Sequence, residues 1–88
     1  MQVTIYTLPN CKWCHKMIDY IMSNNLVDEF QVQELCDENH DSISTYLRQA
    51  TDRQEVGFPV TIVTDEIKDI RHIIIGFDTA SFEKTIKG

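Results

Sequence analysis

The chain predicts a small α/β fold with element order βαβαββα, a mixed sheet with helices covering both faces. Three observations carry that expectation. A β-branched run at the N-terminus gives way at Cys11 to apolar residues at helical spacing, and a second strand-to-helix change of period follows it. Two short apolar runs near the C-terminus then lie close enough to form a hairpin, ahead of a last amphipathic stretch.

The first strand is Gln2–Thr7, with Val3, Ile5 and Tyr6 its apolar members, stopped by Pro9-Asn10. Cys14, Met17, Ile18, Ile21 and Met22 then fall on one helical stripe, with Lys12, His15, Lys16 and Asp19 opposite. Asn10 is expected to cap that helix through its side-chain oxygen, and Ser23-Asn24-Asn25 to end it. Residues 28–36 alternate weakly through Phe30, Val32 and Leu35 and are read as the second strand, parallel to the first through a right-handed crossover. Asn39-His40-Asp41 opens a second helix, whose Ile43, Tyr46, Leu47 and Ala50 recur at i, i+3, i+4 and i+7.

Residues 51–57 are polar and read as a loop. Val60-Thr61-Ile62-Val63 is a short buried strand starting directly after Pro59, where a proline precedes a ladder without breaking it. Residues 64–69 form a charged turn, and Ile70–Ile75 the fourth strand, antiparallel to the third. Gly76 breaks that run, and Asp78 or Thr79 caps a last helix with Phe82 and Ile86 on one face.

Eighty-eight residues hold one domain, residues 1–88, with no room for two cores. A net charge of −6 argues against nucleic acid as a partner, because phosphate binding needs a basic face. The charge is uneven: residues 1–18 contain Lys12 and Lys16 and no acid, whereas residues 28–41 hold six acids and no Lys or Arg. No apolar run approaches the roughly 18 residues of a membrane span. The N-terminus lacks a basic lead-in and a long apolar stretch, so it does not read as a signal peptide. Three cysteines, an odd number, point to reactive thiols in a reducing compartment, and the expected location is the cytoplasm.

The chemistry gathers at Cys11-Lys12-Trp13-Cys14. Cysteines at i and i+3 on a first helical turn face the same way, so their sulfurs can bond with little backbone movement. The free amides and partial positive charge of a helix start favour thiolate over thiol. A free cysteine titrates near 8.5, and in such motifs the value commonly falls to about 3.5–7.5. Cys11, at the lip of the helix, is then the attacking thiolate, and Cys14, on the apolar stripe, the resolving thiol. Lys12 and Lys16 add modest electrostatic help or are two ordinary solvated lysines. Trp13 shields the sulfurs or contacts substrate. A zinc or interaction module using Cys11, Cys14, Cys36 and His40 is the alternative. Against it, an apolar strand leads into the motif and an amphipathic helix leads out. Cys36 otherwise reads as an inert, partly buried thiol.

Two further stretches bear on the site. The ordinary reading of Phe58-Pro59 is a trans proline starting an edge strand; a cis bond there would instead turn the backbone of Phe58 outward, ready to pair with an extended substrate. Gly76-Phe77-Asp78-Thr79 places a glycine before a helix start, a local arrangement suited to a carboxylate.

At these residues the chain resembles the glutaredoxin family of the thioredoxin-like superfamily. The resemblance spans nearly the whole length: Ile5-Tyr6-Thr7 leading to Cys11-Lys12-Trp13-Cys14, the Pro59 strand start, and Gly76-Phe77-Asp78-Thr79 before a helix. It implies a thioredoxin-like, glutaredoxin-type fold of four strands and three helices with Pro59 cis. It implies a thiol–disulfide oxidoreductase, a protein-disulfide reductase with Cys11 as nucleophile and Cys14 as resolving cysteine, no metal and no bound cofactor. The implied reductant or substrate is glutathione: Trp13 flanks it, the backbone of Phe58 pairs with its cysteine, Asp78 and Thr79 hold its γ-glutamyl end, Gly76 matches the second of two family glycines, and Lys12, Pro59 and Phe77 complete the binding set. Ile75 and Leu8 depart from the family, standing where a first glycine and a glutathione-neutralising lysine are common. The stretch from Ile5 to Cys11 and the Gly76-Phe77 pair also resemble the glutaredoxin-like hydrogen donors of ribonucleotide reductase, which take electrons from thioredoxin reductase. A monomer acting on such a target is the expected form.

Overall fold

Strand β1 (Gln2–Thr7) runs through the middle of the sheet, and its alternation decides what lies above and below. Val3, Ile5 and Thr7 are buried on one face, while Tyr6 reaches the other. The computed structural model describes residues 2–24, 27, 29–52, 54 and 57–87. Along them follow α1 (Lys12–Ser23), β2 (Gln31–Glu34), α2 (His40–Thr51), β3 (Val60–Asp65), β4 (Ile70–Ile75) and α3 (Thr79–Lys87). This is the expected order, a four-stranded mixed sheet with three helices and a thioredoxin-like, glutaredoxin-type architecture.

The strands lie in the order β2-β1-β3-β4. β1 pairs parallel with β2, Ile5 opposite Val32, and antiparallel with β3, Tyr6 opposite Val60. β3 pairs antiparallel with β4, Val60 opposite Ile75. β3 is therefore central, buried on both faces from Val60 to Val63, so Pro59 does not introduce an edge strand.

Two apolar clusters sandwich the sheet. Met17 and Ile21 of α1 and Phe82 of α3 pack on Val3, Ile5, Val63 and Ile74. Leu47 of α2 packs on Val60 and Ile62, with Tyr6, Ile43, Phe58 and Ile73 around it. The helical stripes read from the sequence supply the buried residues, at positions three and four apart, except that Met22, at the end of the α1 stripe, is 62 % exposed. On α2 the stripe is only partly buried: Leu47 is enclosed, but Tyr46 is exposed and reaches Arg71 of β4 through its hydroxyl, which accepts at 2.8 Å.

Several boundaries differ from the sequence reading. β2 is four residues, not the whole of 28–36, and all four are exposed at the edge of the sheet, where only β1 flanks them. Val32 is 47 % exposed; Leu35, just beyond the strand, is the residue that is buried. Its amide donates to the Thr7 carbonyl at 2.8 Å. β3 continues to Asp65, whose carboxylate accepts from the amides of Ile67 and Lys68 and so makes the hairpin turn itself. α2 extends to Thr51 and ends on Asp52 in the left-handed region, φ 56°, shortening the loop expected over 51–57. Asn25, Asp28, Arg53, Glu55 and Val56, which belonged to those expected segments, lie outside the described residues.

Thr61 is fully buried between Ile5 and Ile74, and its hydroxyl has no hydrogen-bond partner among the described residues. Removing an unpaired buried hydroxyl is favourable when the replacement keeps the shape. Thr61→Val is expected to raise the unfolding free energy by about 1 kcal/mol. Phe82→Ala, which empties the first cluster, is expected to lower it by about 3–5 kcal/mol. Chemical denaturation of both variants checks the pair.

Candidate active site

Three segments meet at one end of the sheet because of strand direction. β1 ends there and runs on to Cys11, β3 begins there after Pro59, and β4 ends there before Gly76. The Tyr6–Val60 and Val60–Ile75 pairs set the three side by side. The Gly76 amide donates to the Pro59 carbonyl at 2.7 Å, tying the second segment to the third.

Cys11 and Cys14 are joined as a disulfide, with Cα atoms 5.2 Å apart. Cys11 is itself the N-cap of α1: its backbone is extended and its sulfur accepts from the Cys14 amide at 3.3 Å. Asn10, the expected cap, instead takes up a left-handed turn with φ 58°. The tight exit from β1 uses Asn10 for its backbone, an asparagine being among the few residues that tolerate that region. The capping place passes to the next residue. A sulfur held at free helix amides is where negative charge is stabilised. Cys14 is buried against the core side, whereas Cys11 is half-buried, so the two thiols differ in access as their spacing suggested.

The Phe58-Pro59 bond is cis. Pro59 is buried and Phe58 packs on the second cluster, and among the described residues the Phe58 backbone enters no hydrogen bond. That leaves an amide and a carbonyl available at the start of β3. Gly76 adopts φ +80°, a left-handed conformation that disfavours any side chain although the space beside it is open. The Asp78 amide then donates to the Gly76 carbonyl at 3.1 Å.

Trp13 and Phe77 link the helix start to the β4 exit. Their ring centroids are 5.6 Å apart, and Lys16 Nζ stands 4.4 Å from the centre of the Trp13 ring. The rings are 53 % and 40 % exposed, which is unusual for large aromatic side chains in contact. The sequence placed Trp13 and Phe77 at the site separately; their stacking and the part of Lys16 come only from the fold. Lys12 is exposed on the same helical turn, and Thr79 is half-buried at the start of α3.

The alternative ligand set does not assemble. Cys36 and His40 lie together at the start of α2, where the His40 amide donates to the Cys36 carbonyl at 2.8 Å. Cys11 and Cys14 are bonded to each other, and among the described residues no three His, Cys, Asp or Glu side chains are placed to share a metal ion. Cys36 is exposed rather than partly buried, because it follows an edge strand and begins a turn whose Asn39 side chain accepts from its amide.

Asp78 caps α3, as one of the two expected residues. One carboxylate oxygen accepts from the Ser81 amide at 3.1 Å and the other from the Ser81 hydroxyl at 2.8 Å. The Ser81 amide first, then its hydroxyl, holds the Asp78 carboxyl below the usual aspartate range. Depression in the folded chain means that the stabilisation is full above the unfolded value of 3.8 and is lost as pH falls through the folded one. Asp78→Ala is therefore expected to lower Tm at pH 7, with Asp78→Ser restoring most of the loss. Thermal melts taken down in pH should show the gap between wild type and Asp78→Ala closing below about 3.8.

The family model described as Glutaredoxin matches residues 3–67, which include Cys11, Cys14, Phe58 and Pro59 and most of the sheet. No curated protein and no solved structure gave a significant match. The match covers well over half of the chain, and the four-stranded sheet, the three helices and the Cys11–Cys14 pair agree with it. On that evidence the chain belongs to the glutaredoxin family of thiol–disulfide oxidoreductases.

Proposed function

We propose that this protein is a single-domain cytoplasmic enzyme, active as a monomer, that reduces protein disulfides and glutathione mixed disulfides with the Cys11–Cys14 dithiol. The observation that carries the reading is the position of Cys11, whose sulfur caps α1 beside a buried Cys14. In the reduced protein the Cys11 thiolate attacks one sulfur of a target disulfide, and the other leaves as a thiolate that takes up a proton. Cys14, losing its own proton, then attacks Cys11 Sγ and releases the second target thiol. Two electrons pass to the target, one proton comes from Cys14 and one from solvent, and the enzyme ends as the Cys11–Cys14 disulfide. The Phe58 backbone, which enters no hydrogen bond among the described residues, pairs with the extended substrate next to the mixed disulfide.

Glutathione is the proposed reductant that resets the disulfide, without a bound cofactor. Lys12 and Trp13 flank it, Phe58 and Pro59 receive its cysteine, and Gly76, Phe77, Asp78 and Thr79 receive its γ-glutamyl end. The Asp78 carboxylate is occupied by Ser81 and its amide by the Gly76 carbonyl, so the backbone at the α3 start, from Thr79 on, is what remains for a ligand. Leu8, half-buried where many members have a lysine, supports a second reading. In it the protein is a hydrogen donor of ribonucleotide reductase, reset by thioredoxin reductase, consistent with the Gly76-Phe77 pair.

Cys11→Ser is expected to reduce disulfide turnover to background. Cys14→Ser should accumulate mixed disulfides visible as a mass increase equal to the bound thiol. Full activity in the Cys11 variant would remove the mechanism. Turnover with glutathione and its reductase, set against turnover with thioredoxin reductase, separates the two sources of electrons. If glutathione is the reductant, Leu8→Lys should lower its KM by about two- to fivefold, the size of one exposed ion pair.

A further inference from the structure

We infer that the rim of this site is a docking surface selective for disulfides set in acidic polypeptide segments that also carry an apolar side chain. The inference deepens the proposed reading and rests on it, since it names the targets that Cys11 meets. Its source is the arrangement around Trp13, which the dithiol chemistry does not need.

The two lysines of the first α1 turns, Lys12 and Lys16, are both exposed. Among the described residues neither makes an ion pair; the one such contact there is His40 with Asp41. Lys16 is not loose, because its ammonium lies 4.4 Å over the Trp13 ring, so charge and ring are presented together. Trp13 in turn stacks on Phe77, giving an apolar platform beside Cys11 whose rim is cationic. The acids nearest in sequence make no ion pair with its lysines among the described residues. Asp78 spends both oxygens on Ser81, and Asp19, one turn beyond Lys16, forms no bridge to it.

Local charge, not total charge, governs what docks here. Exposed charges act over about 8–10 Å at physiological salt. A peptide strand laid beside Phe58 covers little more than the sheet end where α1 begins, and Lys12 and Lys16 stand on the first turns of that helix. A nucleic-acid duplex or an anionic bilayer is broad enough to meet the rest of a chain whose net charge is −6. The favoured occupant is therefore a flexible acidic segment, its carboxylates at Lys12 and Lys16 and an apolar side chain on the Trp13–Phe77 platform. Rim charges of this kind act mainly on association, so the selectivity belongs in the second-order rate.

The test is single-turnover reduction by the pre-reduced protein, followed by chromatography. It uses two cyclic disulfide peptides that share cysteine spacing and a flanking Phe. One has Asp and Glu at the remaining flanks and the other Lys; 2-hydroxyethyl disulfide serves as an uncharged reference. At about 20 mM salt the acidic peptide is expected to react about tenfold or more faster than the basic one, with the ratio falling toward one near 0.5 M salt. In K12E/K16E the ratio at low salt should invert, a readout independent of any change in intrinsic rate. Equal rates for the two wild-type reactions at low salt, or an uninverted ratio in the variant, would overturn the inference. If the uncharged reference reacts while the peptides show no preference, only the docking surface fails. If nothing is reduced, the proposed function fails and the inference with it.

Discussion

The antiparallel pairing of β1 with β3 governs nearly everything at the working end of this molecule. Tyr6 opposite Val60 sets the chain running out toward Cys11 beside the chain coming in from Pro59, and Val60 opposite Ile75 adds Gly76 to the same end. A shift of one residue in that register would exchange the faces of β3, moving Thr61 and Val63 to the α2 side and Val60 and Ile62 to the α1 side. The register is held by burial, because β3 is covered on both faces and neither set of side chains can turn to water.

On this frame the dithiol is a local device supported by distant segments. The left-handed backbone at Asn10 makes the turn short enough for Cys11 to cap α1 with its own sulfur. Capping normally falls to an oxygen of Ser, Thr, Asp or Asn. Handing it to a thiol gives up some helix stability and puts the reactive atom where backbone amides favour its anion. The cis bond before Pro59 and the left-handed Gly76 are the two other irregular backbone positions near the site, and the 2.7 Å hydrogen bond between Pro59 and Gly76 locks them together. The irregular backbone thus sits at chain exits, where no ladder bond is lost.

Much of this was legible before any coordinates. The period changes at Cys11 and after Asn39 marked two helices whose apolar stripes supply the buried Cys14, Met17, Ile21 and Leu47, and the apolar runs before Gly76 formed the expected hairpin. The misreadings come where a local pattern meets a tertiary demand it does not encode. Residues 28–36 alternate like a strand, but β2 has one neighbour, so only four residues pair and Val32 stays exposed. Cys36 was placed partly inside on the same reasoning and stands at the surface. Asn10 has the chemistry of a cap but was needed one residue earlier, as a turn.

What the sequence determined by itself is the chemistry and the order of elements: two cysteines one helical turn apart, a proline opening a buried strand, and apolar spacing of two or of three and four. Those are local properties, set by covalent spacing and by the repeat of each backbone conformation. The tertiary structure decided who meets whom. Trp13 and Phe77 are 64 positions apart in the chain and carry no pattern that pairs them, yet their rings stack beside the disulfide with Lys16 over one of them. Strand order and direction bring them together, and those depend on burying both faces of β3 at once, a constraint belonging to the whole sheet and to no segment of it.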